Sequence, residues 1–409
     1  MTPVVDGVTP GRVDHPRNPD ELAAALTAAV AHHEQVLPLG TGTRPPHGPP
    51  PGDIARAVST AALADIVTWE PGDQTLRVQS GMPLADLDAR LADERQVLPL
   101  HRARGTVGGL LATAADGSCD LGYGRPRDRV LGCTVALADG RLARGRGHVV
   151  KNVAGYDLPR LLVGSFGTLG VLVEVSFKLE PRPPAHGAAT IRCADVPAAF
   201  EAARALLDSG IEPVFADVLA DANDGHADLV VGFDGSAARV QGGLDALPGL
   251  LADLEPDTID VLDAASDTSL RARLDDPATM TATEASRCAE SVVLRCAVPP
   301  TKLPGLARGL VQSARHGDGA VRLDARPGLG LLFVSLDAPN EDRRRVLAEA
   351  ALVAARALGH ATVLTAPAAM RGAIDCWGPR PPDFALMQRV KSALDPEGIL
   401  LGGRFVGGL

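Results

Sequence analysis

The stretch VVKNVAGYDLPRLLVGSFGTLGVLVEVSFKL, residues 149–179, decides the fold predicted for the first part of the chain. Within it Gly164, Gly167 and Gly170 precede an apolar run that is typical of a buried strand. Glycine inside regular structure costs roughly 0.5–1 kcal/mol relative to alanine. A series of glycines therefore indicates backbone that turns sharply or closely approaches another group, and the stretch predicts a strand whose entry can lie against a ligand.

Length and composition narrow the classes of protein. The 409 residues exceed one typical core and predict two or three domains. A formal charge of −10 argues against a nucleic-acid partner, because such partners need a basic face. No run of about 18 apolar residues predicts a transmembrane segment, and the first residues lack the apolar core of a secretory signal, so we expect a cytoplasmic location. Six scattered cysteines without a CxxC pair predict no metal site in this chain.

Local patterns predict the elements of the first 180 residues. Residues 18–33 are predicted to form a helix with Asn18 as its cap and Glu21 at the capping-box spacing. IVTWEP and TLRVQSG, joined by the turn residues PGDQ, predict paired strands. VLGCTVALADGRLARG predicts a hairpin that turns at Asp139-Gly140.

The character of the sequence changes after PRPPAHG, residues 181–187, which predicts a linker. Beyond it, strand and helix patterns follow the order β-α-β-β-α-β, and this order recurs once. That repetition predicts a doubled ferredoxin-like plan. A last helix, PPDFALMQRVKSALD, leads into a glycine-rich tail. The fold class predicted is therefore α+β.

Three glycine-rich segments are each predicted to lie at a strand end: PLGTGTR (38–44), RGTVGGLLATAADGS (104–118) and the series 164–170. The first could present several backbone N–H groups to one anion, or be a tight surface turn. The second is predicted to open a short helix. Bare N–H groups at that helix start could bind a phosphate or a flavin edge, or its small residues could serve close helix packing. Three such segments in one domain favour a ligand.

These segments carry a resemblance to a known family. PLGTGT, GTVGGLLATAADGSCDLGYGRPRDRVLG and VVKNVAGYDLPRLLVGSFGTLGVLVEVSFKLEPRP resemble the FAD-binding module of the vanillyl-alcohol oxidase type (the PCMH superfamily). Within it they resemble the FAD-binding E subunit of glycolate oxidase. The resemblance covers 18–184 and reappears at MQRVKSALDPEGILLGGRF. It implies a two-part PCMH-type FAD-binding domain over 1–184, a ferredoxin-like cap domain over 185–375, and a C-terminal helix and tail, 376–409, that returns to the FAD domain.

The resemblance also implies which residues hold FAD. The pyrophosphate would lie on the main chain of the first segment, at Gly40, Thr41, Gly42 and Thr43. The flavin and ribityl side would be lined by the second segment, at Gly105, Thr106, Val107, Gly108, Gly109, Thr113, Ala114, Ala115 and Asp116. The adenine end would contact the main chain of the third, at Gly167, Thr168, Leu169, Gly170 and Val171. Lys151, Asn152 and Tyr156 belong to the signature of the subunit without a separate role.

The chain departs from the family in two places. The end motif DPxGILNPGR reads DPEGILLGGR here, so Leu401 and Gly402 replace an Asn-Pro pair and a polar contact to the flavin is lost. Arg404 remains as a weak catalytic candidate, with a solvated tail arginine as the alternative. Where covalent members carry a histidine in the first loop, this chain has Thr43-Arg44, with His47 beyond. We therefore expect non-covalent FAD.

The resemblance implies oxidation of a small 2-hydroxy acid, glycolate to glyoxylate, within a hetero-oligomer. Such a reaction needs a hydride path to the flavin, a base for the hydroxyl proton and a cation for the carboxylate. The base is not identified, because the cap histidines His186, His226, His316 and His360 form no cluster. An alternative is a FAD-holding electron-transfer or structural subunit whose homologous partner performs the substrate chemistry, and a stand-alone dehydrogenase is a third possibility. The implied partners are a larger FAD subunit and an iron–sulfur subunit, through which the chain could lie at the inner face of the membrane.

Overall fold

A computed structural model describes residues 5, 7–43, 47–100, 104–145, 147, 157–275, 291–315 and 319–409. Lys151, Asn152, Tyr156, Arg44 and His316 lie outside these ranges. The strands are β1 (Arg12–Asp14), β2 (Val36–Leu39), β3 (Arg56–Ser59), β4 (Ile66–Glu70), β5 (Thr75–Gln79), β6 (Gln96–Val97), β7 (Val130–Ala136), β8 (Leu142–Gly145), β9 (Val171–Lys178), β10 (Glu180–Pro181), β11 (Ala185–Cys193), β12 (Phe215–Asp221), β13 (Ala227–Gly235), β14 (Thr258–Val261), β15 (Val292–Ala297), β16 (Ala320–Arg326), β17 (Leu331–Asp337) and β18 (His360–Thr365). The helices are α1 (Pro19–Ala31), α2 (Leu84–Ala92), α3 (Val107–Thr113), α4 (Asp120–Tyr123), α5 (Pro126–Arg129), α6 (Leu158–Leu162), α7 (Val196–Asp208), α8 (Ala237–Leu250), α9 (Ala264–Leu274), α10 (Leu303–Arg315), α11 (Glu341–Arg356), α12 (Ala368–Ala373) and α13 (Phe384–Leu394).

The chain forms two compact units. The first contains residues 1–116, 125–182 and 379–409, and the second contains residues 117–124 and 183–378. The sequence did not predict that 117–124 would leave the first unit. The predicted linker 181–187 is also wrong in its extent, because β10 ends at Pro181 and β11 begins at Ala185. Most residues of this proline-rich stretch therefore lie in paired strands.

The first unit holds two main sheets. The larger is antiparallel in the order β4-β5-β9-β7-β8, and the smaller is parallel in the order β1-β3-β2. The strand predicted at the end of the opening stretch is confirmed as β9, the middle strand of the larger sheet. Val173, Val175 and Phe177 of β9 are fully buried. At about 25 cal/mol per Å² of apolar surface removed from water, each contributes roughly 1.5–3 kcal/mol.

Local chemistry explains where the predicted elements begin and turn. The side chain of Asn18 accepts a hydrogen bond from the backbone N–H of Glu21 at 2.9 Å and so caps α1. The Glu21 carboxylate accepts from the backbone N–H of Arg17 at 2.8 Å. Gly140, at φ +86°, turns the confirmed hairpin between β7 and β8.

The second unit is an eight-stranded antiparallel sheet in the order β14-β11-β13-β12-β16-β17-β15-β18. Each half has the chain order β-α-β-β-α-β, so the doubled ferredoxin-like plan is confirmed. The two halves join edge to edge, because β12 pairs with β16 in antiparallel fashion. Helices α7, α8, α10 and α11 bury their apolar faces in the main core on one side of this sheet. Helix α9, which the sequence did not predict, buries Leu270 and Leu274 in a smaller cluster with Phe215.

The C-terminal residues complete the first unit. Val36 in β2 donates its N–H to the carbonyl of Ile399 at 2.7 Å and accepts from the N–H of Leu401 at 3.2 Å. The side chain of Gln35 donates to the carbonyl of Gly398 at 3.0 Å. The tail therefore extends the parallel sheet beside β2. Across the part of the chain that the structure describes, no helix combines the length and apolar character needed to cross a bilayer.

Candidate functional site

The first glycine-rich segment leaves β2 and immediately meets the second. A Cβ atom on Gly40 would lie 2.6 Å from the Thr106 hydroxyl oxygen, so only glycine fits there. The hydroxyl of Ser59 donates to the Gly40 carbonyl at 3.3 Å, and the hydroxyl of Thr60 donates to the Leu39 carbonyl at 3.2 Å. These two bonds fix the path of the backbone as it leaves the strand.

The second segment is fastened to the end of β5. Thr106 caps α3 by accepting from the N–H of Gly109 at 3.2 Å. The N–H of Val107 donates to the Met82 carbonyl at 3.0 Å, and that of Gly108 donates to the Ser80 carbonyl at 2.7 Å. The expectation of bare N–H groups at this helix start is therefore wrong for 107–109, because each already has an acceptor within the protein. Contact with a ligand here would use other atoms.

The third segment pairs with the end of α3. The N–H of Gly164 donates to the Leu111 carbonyl at 2.9 Å, and the N–H of Phe166 donates to the Ala112 carbonyl at 2.8 Å. Phe166 and Gly167 both have positive φ, at +54° and +78°. This left-handed pair reverses the chain. A Cβ on Gly167 would lie 3.3 Å from Pro38 Cγ, so the third segment also reaches the first.

The three segments line a cavity of about 80 Å³ that is open to solvent. The lining consists of Pro38, Leu39, Gly40, Thr60, Ser80, Gly108, Gly109, Ala112, Ser165, Phe166, Gly167, Gly170, Val171 and Leu172. None of these side chains is charged, so a ligand would be held by main-chain groups, hydroxyls and apolar contact.

The structure brings together part of the predicted set. Six of the predicted residues line the cavity, namely Gly40, Gly108, Gly109, Gly167, Gly170 and Val171. The others flank it in sequence without lining it, namely Thr41, Gly42, Thr43, Gly105, Thr106, Val107, Thr113, Ala114, Ala115, Asp116, Thr168 and Leu169. The cofactor contacts of both groups stay a prediction. Sequence reasoning missed the other lining residues, of which Thr60 follows the end of β3 and Ser80 follows the end of β5.

A buried ion pair between Lys391 and Asp395 contacts the third segment at Thr168. The Lys391 ammonium donates to the Thr168 carbonyl at 2.8 Å, to the Leu400 carbonyl at 2.8 Å and to the Asp395 carboxylate at 2.6 Å. Asp395 also accepts from the N–H groups of Ile399 and Leu400, at 3.0 and 2.9 Å. Burial lowers the pKa of Lys391, while the contact with Asp395 opposes that shift. The pair ties α13 and the tail to the loop that lines the cavity.

Two tail residues, Arg404 and Phe405, contact the 47–49 segment and Phe166, respectively. The Arg404 guanidinium donates to the carbonyls of Pro49 and His47, at 3.0 and 3.1 Å. The ring of Phe166 lies 5.2 Å from the His47 ring and 5.5 Å from the Phe405 ring. Arg404 thus holds the 47–49 segment through main-chain carbonyls, and its catalytic role stays a prediction.

The cysteines and histidines of the second unit lie apart from one another among its described residues. Burial raises the pKa of Cys119 and Cys296 to about 12, so both remain thiols. His186 contacts Asp267 at 2.6 Å and His226 contacts Asp257 at 3.2 Å, each with its own partner. Over the ranges that the structure describes, no three histidine, cysteine or carboxylate side chains could hold a metal.

Main-chain glycine loops around an uncharged cavity at strand ends are consistent with a domain that binds a cofactor through main-chain contacts. Residues 10–146, about a third of the chain, match the family described as FAD binding domain, and FAD is the cofactor that this match supports. The fold matches that of alkyldihydroxyacetonephosphate synthase with a TM-score of 0.72 at 15% identity, over 95% of this chain and 75% of that one. It is a PCMH-type FAD-binding fold.

The curated relatives that match the sequence include two subunits of glycolate oxidase. Glycolate oxidase subunit GlcD of Bacillus subtilis (strain 168) is 35% identical over 178 residues, which is 42% of this chain and 38% of that protein. Glycolate oxidase subunit GlcE of Escherichia coli (strain K12) is 41% identical over 124 residues, which is 29% of this chain and 35% of that protein. The matched region therefore spans little more than a third of each relative.

Proposed function

We propose that the chain is an FAD-linked oxidoreductase subunit that takes part in oxidising a small 2-hydroxy acid, with glycolate the leading substrate, and passes the electrons to a partner. The observation that carries the proposal is the cavity on which all three glycine-rich segments converge. The names of the two curated relatives supply the substrate class.

FAD supplies a hydride acceptor at its flavin ring. The chain's own residues would hold and orient it. Gly40, Gly108 and Gly167 allow the close approach of the residues around the cavity, because a Cβ at these positions would lie 2.6 Å from Thr106, 2.9 Å from Ser80 and 3.3 Å from Pro38, respectively. Phe166 offers an apolar wall, and the lining adds no charge that would need a counter-ion. The arrangement favours binding through shape and main-chain contacts.

A second candidate is a FAD-holding electron-transfer or structural subunit whose homologous partner carries out the substrate chemistry. It is favoured by the separate pairing of His186 and His226, since a general base for a 2-hydroxy acid would normally be a clustered, activated histidine. A stand-alone dehydrogenase is the weaker alternative. We also propose a larger FAD subunit and an iron–sulfur subunit as partners, and a location at the inner face of the membrane through them.

We propose that the FAD is non-covalent. No histidine occupies position 43, and the His47 ring packs against Phe166. The domain boundaries at 184 and 375 remain part of the same proposal.

The experiment begins with the purified chain alone. We expect a yellow protein whose flavin appears in the supernatant after acid precipitation, and a colourless protein or flavin retained in the pellet would contradict the proposal. Anaerobic addition of glycolate then separates the candidates. Bleaching of the flavin by the isolated chain supports catalysis here, whereas bleaching only after a partner is added supports the holding subunit. No bleaching in either case, with glycolate or other small 2-hydroxy acids, would refute the substrate class.

A further inference from the structure

Ser80 stands out among the residues that line the cavity. The residue is 1% exposed, and its hydroxyl has no hydrogen-bond partner among the residues that the structure describes. A buried hydroxyl without a partner costs free energy, so native proteins rarely retain one. Because Ser80 lines the cavity, a ligand bound there could supply the hydrogen-bond partner that its hydroxyl lacks.

The main chain of Ser80 is held on both sides. Its N–H donates to the Val173 carbonyl in β9 at 2.8 Å, and its carbonyl accepts from the N–H of Gly108 in α3 at 2.7 Å. A Cβ on Gly108 would lie 2.9 Å from the Cβ of Ser80, so the two backbones touch. Ser80 thus joins β9 of the larger sheet to the second glycine-rich segment, and its position on the cavity wall is fixed.

The other strand-end hydroxyl of the lining behaves differently. Thr60 donates to the Leu39 carbonyl and is therefore satisfied inside the protein. Ser80 lies in the same wall with its backbone bonded and its hydroxyl unpaired. A structural serine would show the pattern of Thr60, so the difference points to a ligand.

We propose that the Ser80 hydroxyl donates a hydrogen bond to bound FAD, at an acceptor oxygen or nitrogen of the cofactor. The inference rests on FAD as the cofactor and is independent of the proposed substrate. The acceptor would belong to the pyrophosphate or to the flavin ring, two parts of one ligand that share the same acceptor chemistry.

The test compares Ser80→Ala with the wild-type protein in two measurements. FAD binding to the apoprotein, titrated by quenching of flavin fluorescence, should weaken roughly tenfold, the effect expected of one lost hydrogen bond to a buried acceptor. The stability of the apoprotein should stay the same or rise, because the variant removes an unsatisfied buried hydroxyl. A merely structural serine would reverse this pattern and lower apoprotein stability.

Ser176→Ala is the matched control, since Ser176 is a buried serine of β9 that does not line the cavity. Its FAD affinity should equal that of the wild-type protein. Titration with FMN and with ADP then locates the acceptor, because weakening confined to FMN and FAD places it on the flavin half and weakening confined to ADP and FAD places it on the pyrophosphate. Unchanged FAD affinity in folded Ser80→Ala would overturn the inference and leave the proposed function intact.

Discussion

Replacing Lys391 with methionine should loosen the first unit and the cofactor loop together. The ammonium makes three charge-assisted bonds, to the carbonyls of Thr168 and Leu400 and to Asp395. Methionine fills a similar volume but leaves the Asp395 carboxylate, whose side chain is fully buried, without its counter-charge. Removing one partner of a buried pair typically costs about 3–5 kcal/mol, so we expect Lys391→Met to lose about that much stability.

The two tryptophans make this measurable unit by unit. Trp69 lies in the first unit and Trp377 in the second. In a Trp377→Phe background, urea unfolding followed by fluorescence therefore reports on the first unit alone. Lys391→Met should shift the midpoint to lower urea and lower the fraction of FAD retained on gel filtration.

Two further variants test the reasoning. Arg389→Met changes an exposed cation on the same helix and should alter stability by no more than about 0.5 kcal/mol. The double variant Lys391→Met/Asp395→Asn removes both charges and should recover part of the loss, because no unpaired carboxylate remains. An unfolding midpoint for Lys391→Met equal to that of the wild-type protein would refute the assigned role of the pair.

Two other predictions address the cavity wall and the second unit. Gly40→Ala should displace the Thr106 hydroxyl that caps α3 and weaken FAD binding about tenfold or more, as measured by flavin titration. Gly52→Ala is the control, because no atom lies within 4 Å of the added Cβ, and it should leave FAD binding unchanged. Equal effects of the two variants would contradict the close approach of Gly40 to Thr106. Burial and the nearby Asp324 charge hold the pKa of Asp217 well above its ordinary value, so its contribution to stability is present below about pH 4 and is lost as the pH rises through the folded pKa. Asp217→Asn, which mimics the protonated carboxyl, should therefore flatten the decline of the thermal midpoint as the pH rises above about 4. A decline parallel to the wild-type one would show that another group titrates.

Much of the fold follows from short-range patterns. The cap at Asn18, the hairpin at Asp139-Gly140 and the buried run of β9 depend on residues within a few positions of one another, so sequence alone places them. The ferredoxin-like repeat was predicted in the same way, from the order of locally defined elements. The sequence pattern did not predict how the two halves of the repeat are joined. In the structure, β12 of the first half pairs with β16 of the second.

The missed features depend on contacts between distant residues. Ser80 and Thr60 line the cavity because their strands end beside α3 and β2, and neither residue type marks such a position. Lys391 reaches Thr168 from 223 residues along the chain. A lysine within a helical pattern is most simply read as a solvated charge, so only the fold shows that it is buried. The N–H groups of Val107 and Gly108 have partners for the same reason, since their acceptors, the carbonyls of Met82 and Ser80, lie on the residues that follow β5.

The pairing of the tail with β2 can form only late in the synthesis of the chain. Gln35 bonds to Gly398, which leaves the ribosome 363 residues later. At about 5–20 residues per second the interval is roughly 20–70 s, during which the edge of β2 has no partner from the tail. The amino-terminal unit is therefore completed after its neighbour, residues 183–378, has been made, and a nascent chain released before Lys391 would lack the pair that supports the cofactor loop.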